Sequence, residues 1–183
     1  MNPPTLYTLG HSNREPEAFL QLLVDADIRQ LVDIRTVPRS RRFPHFDAEA
    51  LRQLVEPRGI TYHLTGKVFG GLRHSDPMSP HNALGEELRE FADHMMSETF
   101  SKAVEQLVRL AEQSGPVALL CAERLPAYCH RRLLADYLHA RGVSVVHLID
   151  AQTARAHTLS PECRLDPRGL VYDRAVQTAP KPH

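Results

Sequence analysis

Apolar and polar positions alternate along this chain in short blocks, and the blocks predict strands and helices in turn. Residues 6–9 are a brief apolar run that stops at Gly10-His11-Ser12-Asn13, the pattern of a strand entering a turn. Across 15–27, Phe19, Leu20, Leu22, Leu23 and Val24 gather on one side of an amphipathic helix, with Ser12 or Asn13 near its cap. A second strand is predicted over 30–35 and a third over 60–64, separated by a helix over 48–56 that Asp47 can cap and Pro57 and Gly59 stop. Residues 65–85 are rich in Gly, Pro, Ser, His and Asn and read as one long irregular loop, either a binding segment or a surface insertion. Helical spacing resumes over 86–112, broken near Ser97. A strand at 117–120, a helix at 126–140 and a strand at 143–149 follow.

Strands alternating with helices define an α/β fold: a single domain with a largely parallel open sheet and helices on both faces. Residues 1–150 form that domain. Residues 151–183 are polar and proline-broken; they are expected to be an extended segment packed on it, with one short edge strand at 169–172 and a frayed end.

Composition narrows the function. The formal net charge is zero, so attraction to phosphate must be local, not a property of the whole surface. No apolar run is long enough to span a membrane. The start, Met1-Asn-Pro-Pro-Thr, has neither a charged leader nor an apolar signal core, and the expected location is cytoplasmic. Three cysteines argue against a disulfide framework.

The densest chemistry lies in residues 117–132, VALLCAERLPAYCHRR. In open α/β sheets ligands bind where strands end and helices begin. Cys121 and Glu123 fall at such a strand end and share one face of an extended segment. Glu123 is placed for general base work or substrate anchoring, since a carboxylate beside a thiolate would raise the thiol pKa. Cys129, His130, Arg131 and Arg132 fall in the expected first helical turn, where the dipole and the cations favour a low thiol pKa at Cys129. Both thiols also fit as small core residues. Neither is followed six positions later by an arginine: Cys121 meets Ala127 and Cys129 meets Ala135. That argues against a protein phosphatase or rhodanese loop. The cysteine and histidine spacings contain no paired short units of the structural zinc kind, so no metal is expected and no cofactor is indicated.

A second constellation is the basic loop with Arg35, Arg39, Arg41 and Arg42, whose guanidinium forks suit phosphate or carboxylate. Phe43, His45 and Phe46 follow it and could stack on bases or dock the loop to the core. His11 and Ser12 could bind an anion after the first strand. Topology could bring 10–12, 33–35 and 121–123 together at one sheet edge, adding Asp33, Arg131 and Arg132 to the set.

Several of these segments, in this order, resemble one bacterial and archaeal family catalogued as domain of unknown function 488. They are Thr8-Leu-Gly-His-Ser12, the 31–42 segment LVDIRTVPRSRR, Gly70-Gly71, Leu120-Cys-Ala-Glu123, Cys129-His-Arg-Arg132 and His157-Thr-Leu-Ser-Pro161. The resemblance runs from about residue 5 to about 172 and implies a compact α/β domain whose site is built from these motifs. It supplies no substrate.

The expectation is therefore an enzyme, of hydrolase or transferase type, acting on an anionic substrate such as a nucleotide, a nucleic acid or a modified base. Cys121, Glu123, Cys129 and His130 would carry the chemistry. His11, Ser12, Asp33, Arg35, Arg39, Arg41, Arg42, Arg131 and Arg132 would bind. A non-catalytic nucleic-acid-binding module and a thiol-based redox or metal-responsive protein are the alternatives. Neutral charge weighs against the nucleic-acid module.

Overall fold

The computed structural model describes residues 3–74 and 76–175. Five parallel strands form the sheet: β1 (Thr5–Gly10), β2 (Gln30–Asp33), β3 (Thr61–Leu64), β4 (Val117–Cys121) and β5 (Ser144–Leu148). β6 (Ala154–Ala156) adds an antiparallel edge, giving the order β3-β2-β4-β1-β5-β6. β4 is buried at every position, as a central parallel strand with both faces covered must be.

Two cores flank the sheet. On one face Leu9, Leu31, Ala118 and Leu120 pack against α1 (Pro16–Asp25) and α2 (Ala48–Val55). On the other, Leu6, Val32, Val117, Leu119 and Cys121 pack against α3 (Gly66–Phe69), α4 (Glu86–Met95), α5 (Glu98–Ser114) and α6 (Arg131–Ala140). Adjacent strand residues serve opposite faces, as the pleat requires. Ser97 caps α5 through the Phe100 N–H and separates it from α4, at the break the pattern indicates. Among the described residues no helix is long and apolar enough to cross a membrane.

Several local expectations change. The N-cap of α1 is Glu15, followed by Pro16, and not Ser12 or Asn13; Ser12 instead takes a left-handed φ of 48° in the turn before it. Asp47 stands at the N-cap of α2 without bonding the helix. Its carboxylate accepts from the Ser40 N–H at 2.7 Å and ties down the basic loop. The described residues of the 65–85 segment contain α3 and are otherwise turns, bends and irregular backbone. The helix expected over 126–140 divides into a 3-10 turn at Pro126–Tyr128 and α6, with Cys129 extended between them. Residues 169–172 do form a strand, but not at the edge of the main sheet. β7 (Cys163–Asp166) and β8 (Gly169–Tyr172) make a separate antiparallel hairpin, and Cys163, Leu170 and Tyr172 join the α4–α6 core. The end expected to fray lies, from 176 on, outside the described residues.

Candidate functional site

β4 lies between β2 and β1, so the three strand ends meet. Hydrogen bonding continues past the strands: His11 N–H donates to the Cys121 carbonyl at 3.0 Å, Ser12 N–H to Ala122 at 2.9 Å, and Ile34 N–H to Leu120 at 3.0 Å. Gly10 permits this approach, because a Cβ there would fall 1.7 Å from the Glu123 carbonyl oxygen. A cleft of about 860 Å³ opens above. Its walls include His11, Arg35, Arg39, Leu72, Cys121, Glu123, Tyr128, Cys129 and His130.

Arg131 organises the floor. It is fully buried, and its Nη1 donates to Cys121 Sγ at 2.6 Å and to the Glu123 carbonyl. Nη2 donates to the Arg124 carbonyl at 2.8 Å, and Nε to Thr8 Oγ1 at 3.2 Å. Among the described residues no carboxylate lies within ion-pair distance of it. A buried cation requires a partner, and the Cys121 thiolate is the group in place.

The second thiol completes the pairing. Cys129 Sγ donates to Cys121 Sγ at 2.9 Å. Burial alone would raise the Cys121 thiol; the Cys129 hydrogen bond and the Arg131 charge outweigh it and bring it down to about 7. Cys129 moves the other way, held well above the ordinary thiol range by the proton it donates to Cys121 and by burial. This reverses the expectation that Cys129 is the more acidic thiol. α6 begins at Arg131, so Cys129 sits ahead of the helical turn whose dipole would have helped it, and the guanidinium turns back to Cys121.

His130 lies beside Cys129. Its Nε2 faces the Phe69 carbonyl at 2.8 Å, so Nε2 carries the hydrogen and Nδ1, 3.7 Å from Cys129 Sγ, is the acceptor. Burial lowers its pKa to about 4, which keeps the ring neutral. Gly71 leaves room for the imidazole, since a Cβ there would lie 2.8 Å from Nδ1.

Behind Arg131 runs a buried polar chain that includes residues absent from the expected set. Thr8 Oγ1 lies 2.6 Å from His147 Nδ1, His147 Nε2 2.9 Å from His157 Nδ1, and His157 Nε2 2.8 Å from Asp136 Oδ1. The Ser160 N–H and the Tyr172 hydroxyl also donate to Asp136, at 2.8 and 2.9 Å. Arg131 only donates and an Asp136 carboxylate only accepts. With neutral imidazoles every proton then points the same way, from guanidinium to carboxylate. Burial depresses His147 to about 3, so it is neutral. The available signal was a polar residue inside an apolar strand: Thr8 in β1 and His147 in β5.

The expected binding residues divide. Asp33 is fully buried and holds Arg35 by two hydrogen bonds of 2.9 and 2.7 Å while accepting from the Tyr62 hydroxyl. Arg35 Nη1 is buried and has no partner among the described residues. His11 donates through Nδ1 to the Ser12 carbonyl, leaving Nε2 as acceptor, and stacks on Phe46 at 4.7 Å. Arg39 borders the cleft; Arg41 and Arg42 are exposed on the same loop, outside its walls. Phe46 is buried and cannot stack on a ligand, whereas Arg42 lies over Phe43. Arg132 reaches away to Ser160 and Glu162. Ser12 is not a wall residue, and its hydroxyl faces Asn13. The Glu123 side chain is exposed at the cleft, and its carbonyl is what Arg131 holds. Among the described residues no group of three His, Cys, Asp or Glu side chains is arranged for a metal ion.

Fold and site together define a mostly parallel α/β domain whose central strand delivers a thiol to a buried arginine. The chain belongs to the family described as "Domain of unknown function DUF488", which it matches over residues 15–138. That span holds the basic loop, Gly71 and both thiols, while Thr8, His147 and His157 lie outside it. No curated protein and no solved structure matches the chain.

Proposed function

We propose that the protein is an enzyme acting on an anionic substrate, a nucleotide, nucleic acid or modified base, with the Cys121 thiolate as nucleophile. The observation that carries this reading is the fully buried Arg131 donating to Cys121 Sγ at 2.6 Å with no competing carboxylate among the described residues. A thiolate is the nucleophilic form, and a cation beside it is how proteins obtain one near neutral pH. The anionic part of the substrate meets Arg35, whose Nη1 is unpartnered, and Arg39 at the rim. Exposed Val37, Leu72 and Tyr128 border the same cleft and suit a planar or apolar portion. Glu86, Glu87 and Glu123 are there too, so a small anion entering at Arg35 is favoured over an extended polyanion. Glu123 is the exposed general acid or base, and His130 stays neutral beside Cys129.

The test is to incubate the native chain with nucleotides, modified nucleosides and short oligonucleotides and read its intact mass. A covalent adduct mapped to Cys121, with turnover lost in Glu123→Gln while the fold is kept, supports the reading. Turnover without any Cys121 adduct, and unchanged in Glu123→Gln, overturns it.

One observation favours the non-catalytic nucleic-acid reading. Arg39, Arg41 and Arg42 are exposed, and none pairs with a described carboxylate. In that case single-strand binding weakens steeply with salt, and replacing Arg41 and Arg42 reduces the logarithmic salt slope by about 2.

A further inference from the structure

We infer that Cys121 and Cys129 form a hydroperoxide-reactive dithiol that closes to a readily reduced disulfide. The inference concerns the site of the proposed enzyme but needs none of its substrates. Three observations carry it. The two sulfurs are within hydrogen-bond distance, at 2.9 Å, and both belong to the wall of an open cleft. Cys129 is extended between a 3-10 turn and α6, and not locked inside a helix. The acceptor His130 Nδ1 stands 3.7 Å from the Cys129 sulfur. Cys121 is buried at the wall of that cleft, so a small oxidant is the kind that reaches it, and a thiolate with a second thiol beside it is the arrangement that responds to peroxide.

The chemistry balances with a hydroperoxide as oxidant. The Cys121 thiolate attacks the distal oxygen; an S–O bond forms, the O–O bond breaks, and the departing alkoxide or hydroxide takes a proton to leave as alcohol or water. Cys121 is then a sulfenic acid. The Cys129 sulfur attacks the Cys121 sulfur, the S–S bond forms and the S–O bond breaks. The Cys129 proton goes to the departing hydroxide, which becomes water. Two thiols are oxidised to one disulfide and one hydroperoxide is reduced. A low-molecular-weight thiol reverses the change by exchange.

The charge on Arg131 sets the direction of this couple. In the reduced state the guanidinium faces a thiolate; in the disulfide that anion is gone, and Arg131 remains fully buried with only neutral partners. Stabilising the reduced form makes the disulfide oxidising. Glutathione should therefore open it, in contrast to a structural disulfide. Cys163 is outside this pair: burial raises its pKa to about 11, and it belongs to β7.

The experiment treats the reduced full chain with one equivalent of hydrogen peroxide at pH 7.5, quenches, denatures, alkylates and maps the thiols by mass. The expected product has lost two hydrogens, carries a Cys121–Cys129 link with Cys163 alkylated, and returns to three free thiols in glutathione. Cys129→Ser should stop at a Cys121 sulfenic acid that dimedone traps. Unchanged thiols, stepwise oxidation of Cys121 to sulfinic acid in the native chain, or a link through Cys163 would each overturn the inference. So would a disulfide that survives the glutathione buffer. A chain that pairs its thiols yet forms no substrate adduct keeps this inference and loses the nucleophilic enzyme; a chain that forms the adduct without pairing its thiols does the reverse.

Discussion

Removing a guanidinium from water costs several kcal/mol unless charge and hydrogen bonds replace the solvent. Arg131 has the hydrogen bonds in three oxygens, those of Thr8, Glu123 and Arg124, but only Cys121 can supply the charge. Two outcomes follow. In the native protein Cys121 should titrate near 7, read as thiolate absorbance or alkylation rate, with Cys129 silent until far higher pH. Cys121→Ala should cost about 3–5 kcal/mol in urea denaturation at pH 8, because it strands a buried charge. Pairing it with Arg131→Met should recover much of that loss. A cost near 1 kcal/mol, the scale of a lost small apolar side chain, would mean that Cys121 is only packing.

Elements position these groups more than the groups position themselves. Thr8 comes from β1, His147 from β5 and Asp136 from α6, and their chain of hydrogen bonds fixes the direction in which Arg131 points. Thr8→Val preserves shape and removes one hydroxyl. It should move the Cys121 midpoint upward toward the ordinary thiol value, with Thr8→Ser restoring it; a role confined to stability would leave the midpoint in place. Gly10→Ala places a methyl 1.7 Å from the Glu123 oxygen and should cost about 3 kcal/mol or more, measured by urea denaturation. The five parallel strands were readable because apolar runs bounded by turn residues leave few alternatives, and the meeting of 10–12, 33–35 and 121–123 followed from their topology. The break at Cys129 was not readable, since Pro126 opens a 3-10 turn as readily as a helix and local pattern does not distinguish them. Nor was the pairing of Cys121 with Arg131, which depends on which way a long side chain folds back. Thr8 and His147 break apolar runs, but a single polar residue does not announce its partner. β8 was readable as a short strand, but its partner β7 was not, because Arg164 and Asp166 break the apolar pattern there.

Across the whole molecule, acid and base act in the same direction. Between its folded value of about 4 and its ordinary 6.5, His130 binds a proton only when unfolded, and His147 does so from about 3. Stability therefore rises with pH through that window. For His130 the full shift corresponds to roughly 3 kcal/mol. Cys121, lowered to about 7 from 9.0, adds a second rise from pH 7 to 9, where only the unfolded thiol keeps its proton. Urea midpoints should climb from pH 4.5 to 7 and again to about 8, before Cys129 and Cys163, both raised above 9.0, turn the slope down; the upper rise should flatten in Thr8→Val. A midpoint that falls between pH 7 and about 8 would contradict the thiolate pairing.

Tyr172 ties the last hairpin both to α6 and to the segment that precedes α4. Its hydroxyl seats Asp136, while its N–H donates to His81 Nδ1 at 3.2 Å and its carbonyl accepts from Ala83 at 2.9 Å. His81 and Ala83 belong to the segment that runs from Gly71 to Gly85, both of them cleft residues. A chain cut back to residue 160 would retain every group proposed for catalysis, yet lose the anchor of one wall and a donor to the far end of the arginine's support. The smallest working unit of this protein is accordingly longer than its parallel sheet, and any minimal version must keep the last hairpin.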